Sequence, residues 1–382
     1  MIYFDNAAST PITDEIKYVI DNVAEVYGNP SSAHYGGKEA KALISLARER
    51  ILNYLSAKNG TVIFTSGGTE SNNLAIMGVA NYLRKIGKTT IITSKIEHPS
   101  VLNVCKHMEN NGFNVIYMPV CYDGRVDIEE LDKIMQKNRD TLGLVTIQTV
   151  NSEIGTMQCI EDIGFLCREN EVLFHTDAVQ AVGHVRIDVE KYNIDMLSIS
   201  GHKIYTPKGV GALYVRNKEI LSPIMFGGGQ EFGVRSGTEN TIGIAALGTA
   251  VFNIDCSLNI MNSGVSFVRD YMIKKLEEFM TLPYSINCLD YSDNIISLTI
   301  PGVEGSSLAM MLSENGIYIS TGSACSSSQL EPSHVLKAIG LSDSDAACTV
   351  RISLSYLNTL TEANAAAKYI AKMAQDIYSL KE

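Results

Sequence analysis

The sequence predicts an α/β protein whose large domain is built on a mostly parallel, seven-stranded sheet, with a smaller α+β domain beside it. Short apolar segments that end in Gly, Ser, Asp or Thr alternate with segments of helical periodicity, which is typical of a parallel sheet covered by helices on both faces. The length of 382 residues exceeds what one hydrophobic core usually supports, so two domains are expected. The predicted strands cover residues 61–65, 90–93, 114–119, 142–147, 172–176, 194–200 and 211–215.

The sequence changes in character after Asp255, where the second domain is predicted to begin. A long amphipathic segment covers residues 265–280, an apolar strand-like segment follows at 295–300, and residues 320–328 are small and polar. The opening residues 3–11 are expected to pack with this part of the chain. We therefore predict a large domain at residues 12–254 and a small domain formed by residues 1–11 and 255–382.

Charge and hydropathy argue against several classes of function. The chain has 31 basic and 42 acidic residues, a formal net charge of −11 and no block of Lys and Arg, so neither nucleic acid nor an anionic membrane is expected as a partner. The longest mostly apolar stretch, residues 242–254, is shorter than the roughly 20 residues that cross a bilayer. The first ten residues lack the features of a secretory signal, which makes the cytoplasm the expected location.

The eight cysteines are scattered, without a CxxC pair or a matching His spacing, so the sequence predicts neither a metal site nor a disulfide framework. Cys325 is the exception to a purely structural interpretation, because it lies in a polar segment where an exposed thiol without a task would be an oxidation liability. The others are predicted to be small buried apolar residues: Cys105, Cys121, Cys159, Cys167, Cys256, Cys288 and Cys348.

Three segments at predicted strand ends carry groups of chemical interest. The strand at 61–65 is followed by a Ser-Gly-Gly-Thr-Glu turn and a helical pattern, which offers backbone amides to a phosphate. An ordinary turn capped by Thr69 is the alternative. Asp177 ends another strand, where a helix cap is the common alternative, and Lys203 lies in the turn after residues 194–200, although most lysines are solvated surface groups.

The combination of these three groups favours one chemistry over the separate alternatives. Ligands of open α/β sheets bind at the carboxyl ends of the strands, where an anion cradle, an acid and a lysine would lie close together. Pyridoxal phosphate (PLP) requires such a set: a lysine for the Schiff base, a carboxylate that keeps the pyridine nitrogen protonated, and amides that hold the phosphate. The sequence therefore predicts PLP as the cofactor, with Lys203 and Asp177 in these roles.

Nine short segments also match a known family, in order, along nearly the whole chain. They are residues 3–8 (YFDNAA), 28–34 (GNPSSAH), 64–70 (FTSGGTE), 97–98 (EH), 151–155 (NSEIG), 177–180 (DAVQ), 200–203 (SGHK), 235–238 (RSGT) and 323–325 (SAC). On these segments the sequence resembles the class V aminotransferases, PLP enzymes of fold type I. Within that family it resembles the cysteine desulfurases of the NifS and IscS type.

The resemblance implies PLP as the cofactor, L-cysteine as the substrate and a homodimer as the assembly. Lys203 would carry the Schiff base, Asp177 would hold the pyridine nitrogen and His98 would stack on the ring. Arg351 would bind the substrate carboxylate, assisted by Asn151. The other matched positions would bind the cofactor: Gly68, Thr69, Ser200 and His202 at the phosphate, Asn151 and Gln180 on the side of the ring hydroxyl, and Thr238 at the phosphate of the neighbouring subunit.

The activity that the resemblance implies converts L-cysteine to L-alanine and leaves the sulfur on Cys325 as a persulfide. An acceptor protein would receive it for iron–sulfur cluster assembly or tRNA thiolation. Two alternatives stay open: another reaction of class V PLP enzymes, such as selenocysteine lysis, and a catalytically silent scaffold that binds sulfur-assembly partners. The chain departs from the family pattern at Gly68 (often Ala), Ser152 (often Asn) and Phe232 (often Arg). The change at Phe232 could alter the mouth of the site or the choice of partner.

Overall fold

The computed structural model describes residues 1–288, 293–321 and 332–380 and contains three β-sheets in that part of the chain. The five-residue strands are mostly buried, which explains their almost continuous apolar sequences. The strands are β1 (Ile2–Tyr3), β2 (Thr61–Thr65), β3 (Thr90–Ser94), β4 (Asn114–Met118), β5 (Leu142–Thr146), β6 (Leu173–Asp177), β7 (Met196–Ser200), β8 (Gly211–Val215), β9 (Ser285–Asn287), β10 (Ile295–Thr299), β11 (Ile317–Tyr318), β12 (Ser320–Thr321) and β13 (Thr349–Ser353).

The largest sheet has seven strands in the order β2-β8-β7-β6-β5-β3-β4. All run in one direction except β8, which is antiparallel to both β2 and β7. Each of the seven predicted segments overlaps one of these strands, with bounds that differ by at most two residues, so the predicted α/β fold with a mostly parallel sheet is confirmed. Thr65, Thr146, Asp177 and Ser200 end β2, β5, β6 and β7, and therefore lie along one edge of the sheet.

Helices cover both faces of this sheet. Neighbouring residues of one strand point to opposite faces, and Ile63 belongs to one buried apolar cluster while Phe64 belongs to another. The helices are α1 (Asp14–Ala24), α2 (Tyr35–Tyr54), α3 (Gly68–Gly78), α4 (Ala80–Lys85), α5 (Pro99–Asn110), α6 (Ile128–Lys137), α7 (Ile160–Glu169), α8 (Thr241–Phe279), α9 (Gly305–Glu314), α10 (His334–Ala338), α11 (Asp343–Ala347) and α12 (Leu360–Ser379).

A smaller core forms around the strands of the C-terminal part. Strands β12, β13, β10 and β9 make an antiparallel sheet, and its apolar cluster includes Phe4, Ile296 and Ile352. The N-terminal strand β1 pairs in parallel with β11, which attaches the opening residues to this core. The residue at which one domain gives way to the other stays a prediction, because α8 runs without a break through position 255.

Helix α8 joins the two cores and is much longer than the apolar stretch in the sequence suggests. It has 39 residues, with Ile244 and Leu258 in the core of the large sheet and Val265 and Leu276 in the smaller core. By length and composition it is the one helix of the described ranges that would reach across a bilayer. However, 56% of its most apolar window is buried inside the protein, as expected of a helix around which α1, α2 and α12 pack.

The cysteines follow the structural prediction only in part. Cys105 and Cys167 are buried, as predicted. Cys121 and Cys256 are exposed, and the prediction is wrong for them, because the first lies in the turn after β4 and the second on the outer face of α8. The three remaining cysteines of the described chain are half-buried: Cys159, Cys288 and Cys348.

Candidate active site

A cavity of about 190 Å³ lies at the edge of the sheet where β2, β6 and β7 end. Nine of the residues that the sequence assigns to a site contribute to its wall. Eight further residues line it without having been predicted as site residues. The predicted ones are Gly68, Thr69, His98, Asp177, Gln180, Ser200, His202, Lys203 and Arg351, and the others are Ala7, Ala8, Asn72, Ser100, Gln148, Val150, Ser152 and Val179.

The N-terminus of α3 forms an anion cradle in this wall. Gly67 precedes the helix and supplies no side-chain cap, and the amides of Gly68 and Thr69 have no protein acceptor in the described part of the chain. A Cβ atom at Gly68 would lie 2.6 Å from Cγ2 of Val179 and 3.5 Å from Cβ of Ser200. The glycine thus lets β6, β7 and α3 meet closely around a space where helix amides face a ligand.

Asp177 is the last residue of β6, and two hydrogen bonds fix its carboxylate. Oδ1 accepts a hydrogen bond from the amide of Val179 at 2.9 Å, and Oδ2 accepts one from Nδ2 of Asn72 at 2.7 Å. The residue is 7% exposed and lines the cavity. A carboxylate fixed in this way can receive a protonated ring nitrogen without first losing a shell of water.

Lys203 ends the short 3-10 turn that follows β7. Its Nζ donates to the carbonyl oxygens of Ala7 and Ala8, so the N-terminal segment directs the ammonium group into the cavity wall. The neighbouring His202 lies near Ser9, with 3.4 Å between Nδ1 and Oγ. Burial lowers the pKa of His202 to about 4, and the positive charges of Lys203 and Lys208 act in the same direction. His202 is therefore a neutral hydrogen-bonding group beside the cradle.

His98 and Glu97 follow β3 and turn in different directions. His98 lines the cavity, and burial lowers the pKa of its imidazole. Glu97 is fully buried, and its carboxyl group accepts hydrogen bonds from Ser94 and from the amide of Gln148. Burial raises the pKa of Glu97 to about 8. Glu97 therefore anchors the chain between two strand ends, while His98 presents its ring to the cavity.

Arg351 lies on β13, lines the cavity and is only 4% exposed. Its Nη1 donates to the carbonyl oxygen of Ser152 at 3.0 Å, and its Nη2 donates to Oδ1 of Asp5 at 2.8 Å. Its Nε has no partner within the described ranges. The guanidinium group is thus oriented before any ligand arrives and retains donors for a carboxylate.

Three predicted site residues do not contribute to this wall. Asn151 is buried next to it, but its side chain serves the backbone: Nδ2 donates to Ile96, and Oδ1 accepts from the amides of Glu153 and Ile154. Thr238 is exposed and lies outside the cavity. Cys325 lies outside the described residues. The predicted ring contact of Asn151 therefore has no support in the cavity wall.

The departure from the family at Phe232 affects the surface near Arg48. The Phe232 ring is 54% exposed, and its centroid lies 5.0 Å from the guanidinium carbon of Arg48. The ring of Phe64 lies on Arg48 as well, at 4.8 Å, and Glu231 binds the same guanidinium group through two hydrogen bonds. Phe232 does not line the cavity, so the expectation of a changed site mouth is not supported.

Sequence reasoning missed Asn72, Ser100 and Asp5, each of which contacts a predicted residue. Asn72 bonds Asp177, Ser100 lies 2.7 Å from Nδ1 of His98, and Asp5 pairs with Arg351. The available signal was their position inside or beside the segments with matches, since Asn72 is one helical turn beyond Gly68 and Ser100 is two residues after His98.

The donor set of this cavity fits PLP. An uncapped helix N-terminus suits the phosphate, the buried carboxylate of Asp177 suits a protonated pyridine nitrogen, and Lys203 supplies the amine that an aldehyde requires. All three groups border one space, as the sequence predicts.

Comparison with known proteins gives the family. A model of the family described as Aminotransferase class-V matches residues 2–365. The chain is 42% identical over 380 residues to the cysteine desulfurase IscS of Methanosarcina thermophila. The aligned region covers 99% of this chain and 93% of that protein. It is 41% identical to the mitochondrial cysteine desulfurase of Drosophila melanogaster, over 94% of this chain and 78% of that protein.

Solved structures agree with this relationship. A NifS-like protein matches with a TM-score of 0.89 and 35% identity over 99% of both chains. A structure described as SspA in complex with cysteine matches with a TM-score of 0.81 and 39% identity, over 94% of this chain and 100% of that chain. The chain therefore belongs to the class V aminotransferase family and, within it, to the group of the NifS and IscS type.

Proposed function

We propose that this protein is a PLP-dependent cysteine desulfurase, which converts L-cysteine to L-alanine and transfers the sulfur through a persulfide on Cys325. The observation that carries the proposal is that Lys203, Asp177, His98 and Arg351 border one cavity. Relatives that are 42% and 41% identical carry the name cysteine desulfurase, and a similar solved structure is described as a complex with cysteine.

The residues of the cradle and of the two strand ends would hold the cofactor. The amides of Gly68 and Thr69, with Ser200 and His202, would bind the phosphate, and Asp177 would receive the ring nitrogen. Bound PLP supplies an electron sink for the charge that develops at the substrate Cα when its proton leaves. Lys203, which lines the cavity, would attach the aldehyde of the cofactor and would move the proton of the substrate Cα.

The substrate would be bound by its carboxylate at Arg351. The contacts of Arg351 with Ser152 and Asp5 hold two of its nitrogens, so binding a carboxylate would cost little ordering of the side chain. The charge-assisted hydrogen bonds formed there would fix the amino acid relative to His98 and Lys203.

Sulfur transfer would take place at Cys325. The thiolate of Cys325 attacks the sulfur of the substrate, the S–S bond forms as the Cβ–S bond breaks, and a proton on the carbon skeleton completes L-alanine. One cysteine and one thiol thus give one alanine and one persulfide. Two residues on either side of Cys325 in the sequence support its role in sulfur transfer. Ser320 pairs with Arg351, a residue of the cavity wall, in the sheet, and the hydroxyl of Ser333 donates to Glu153 at 2.5 Å.

The assembly and cellular context are further parts of the proposal. A homodimer would bring Thr238 of one subunit to the phosphate of the other, in keeping with the exposed position of Thr238. The acceptor would be a protein, such as an iron–sulfur scaffold, and the reaction would take place in the cytoplasm. The domain division at residues 12–254 and at 1–11 with 255–382 belongs to the same proposal, and the two separate apolar cores support it.

The test is a product assay with L-cysteine combined with mass analysis of the protein. The wild type should form alanine and carry one extra sulfur on Cys325, whereas Cys325→Ser should bind PLP but form almost no alanine. Cys121→Ser is the matched control, since Cys121 is exposed and distant in sequence from every residue of the proposed site. A persulfide on another cysteine, or turnover only with selenocysteine, would contradict the proposal. No alanine from the wild type would favour a silent scaffold.

A further inference from the structure

His98 caps helix α5 with a ring nitrogen. Its Nδ1 accepts a hydrogen bond from the amide of Ser100 at 3.1 Å, and Pro99 occupies the first helical position, where no amide hydrogen is needed. A backbone amide only donates, so the nitrogen that accepts from it carries no proton. The cap therefore requires the neutral ring to hold its proton on Nε2.

A second donor acts on the same nitrogen. Oγ of Ser100 lies 2.7 Å from Nδ1 of His98, and the direction of that hydroxyl is set by Asn72, whose Nδ2 donates to Oγ at 2.8 Å. The amide of Ser100 already requires an unprotonated Nδ1, and Asn72 supplies a hydrogen to the hydroxyl oxygen, so the hydroxyl donates its own hydrogen to His98. Both contacts at Nδ1 thus call for an unprotonated nitrogen.

Asp177 sets the orientation of the Asn72 amide. Nδ2 of Asn72 also donates to Oδ2 of Asp177 at 2.7 Å, and a reversed amide would place two acceptor oxygens against each other. Ser100, Asn72 and Asp177 are 8%, 1% and 7% exposed, so water competes little for these bonds. The chain of hydrogen bonds therefore runs in one direction from Asn72 through Ser100 to His98.

We propose that Asn72 and Ser100 are positioning residues that hold His98 as the neutral Nε2–H tautomer, through hydrogen bonds anchored on the carboxylate of Asp177. The ring nitrogen left for a ligand in the cavity is then a donor. Resting on the proposed function, this assigns His98 to hydrogen-bond or proton donation toward the substrate, and it leaves removal of the Cα proton to Lys203.

The charges around His98 are consistent with a neutral ring. The titratable groups that face it are Asp177 from β6, Lys203 from the turn after β7 and His334 from α10. Burial lowers the pKa of His98, Lys203 and His334 act in the same direction, and Asp177 opposes them. The surroundings therefore favour the neutral ring, and the two donors at Nδ1 select the tautomer in which this nitrogen is unprotonated.

Nitrogen NMR of the full-length protein labelled with ¹⁵N-histidine tests the tautomer directly, because long-range ¹H–¹⁵N correlations distinguish a protonated ring nitrogen from an unprotonated one. The chain has seven histidines, and loss of one signal set in His98→Asn would assign the ring. Near neutral pH we expect an unprotonated Nδ1 and a protonated Nε2, with and without added PLP. A proton on Nδ1 under these conditions would overturn the proposal.

Variants then test which residues set the tautomer. Ser100→Ala removes one donor to Nδ1, so the Nδ1–H tautomer should gain roughly fivefold and the titration of His98 should move to higher pH. Ser100→Thr, which retains the hydroxyl, should restore both. Asn72→Ala should act in the same direction as Ser100→Ala, since the hydroxyl loses its orienting partner.

Asn73→Ala is the matched control in the same helix. Nδ2 of Asn73 donates to the carbonyl oxygen of Thr69 at 2.9 Å and reaches Ser100 only at its carbonyl oxygen. An unchanged spectrum in Ser100→Ala, or an equal shift in Asn73→Ala, would show that the chain of hydrogen bonds does not set the tautomer. These signals are measured without turnover, so a protein that forms no alanine would refute the proposed function and leave the tautomer result intact.

Discussion

The substrate site proposed at Arg351 can be tested by a substitution that removes the planar, forked guanidinium group and keeps the positive charge. One nitrogen of the guanidinium group donates to the carbonyl oxygen of Ser152 at 3.0 Å, and another donates to the carboxylate of Asp5 at 2.8 Å. A lysine at this position would have one compact ammonium group, which cannot serve both partners and a substrate carboxylate in the same geometry. The Arg351→Lys variant therefore isolates the contribution of the planar fork.

The expected magnitude follows from the loss of one charge-assisted hydrogen bond to the substrate, worth about 1.5–3 kcal/mol. That loss should lower kcat/KM for L-cysteine roughly 10- to 150-fold. PLP content should be unchanged, because the proposed cofactor contacts of Lys203, Asp177 and the cradle at Gly68 come from other elements.

The assay is alanine formation at several cysteine concentrations, with PLP content measured on the same samples. Cysteamine serves as the control substrate because it lacks the carboxylate. Since cysteamine cannot give alanine, turnover of both substrates is compared as sulfide released in the presence of a thiol reductant, and the preference for L-cysteine over cysteamine should fall in Arg351→Lys. An unchanged kcat/KM for L-cysteine in a variant with full PLP content would refute the role of Arg351 as the carboxylate site.

Three further variants test other parts of the molecule. Lys203→Ala should lose the visible absorbance that the wild type shows with PLP and should form no alanine, and a variant that keeps the band would contradict the assignment. Phe232→Ala removes a ring that lies on Arg48, so urea unfolding should show a loss of about 1 kcal/mol with unchanged kcat/KM. Burial raises the pKa of Glu97 from 4.5 to about 8, so its protonated form stabilises the fold at low pH and this stability is lost as the pH rises toward 8. Glu97→Gln should flatten that decline, by up to about 1.4 kcal/mol per pH unit in unfolding experiments.

The sheet could be predicted because its strands are buried on both faces. Segments such as β2 and β5 are apolar almost throughout and lie between helical patterns, a combination that only a covered parallel sheet explains well. The strand order and the reversed direction of β8 had no local signal. They depend on contacts between distant residues, such as the approach of Gly211 to Gly67, where a Cβ atom would lie 2.6 Å from the backbone.

The candidate site could be predicted at the level of segments more readily than at the level of side chains. The segment 151–155 lies beside the cavity, yet Val150 and Ser152 line it while Asn151 turns its amide to Ile96, Glu153 and Ile154. A motif match identifies which turn approaches the ligand. Which residue of the turn faces it depends on the backbone hydrogen bonds that the turn must satisfy.

The contacts of Asn72 and Ser100 show why the supporting residues of a site escape such reasoning. Each lies in the first turns of its own helix. Both partners of the Asn72 amide nitrogen lie outside α3, whereas Ser100 contacts His98 at the start of its own helix and Asn72 from the other one. The two helices pack against each other only because their strands, β2 and β3, belong to one sheet, although other strands lie between them. Once they are packed, the buried amide nitrogen of Asn72 and the buried hydroxyl of Ser100 bond to each other and to the groups beside them, since leaving such a donor unpaired costs about 1–3 kcal/mol. The requirement that buried polar groups be satisfied thus links Asp177 to His98, and it operates only after the fold has brought the helices together.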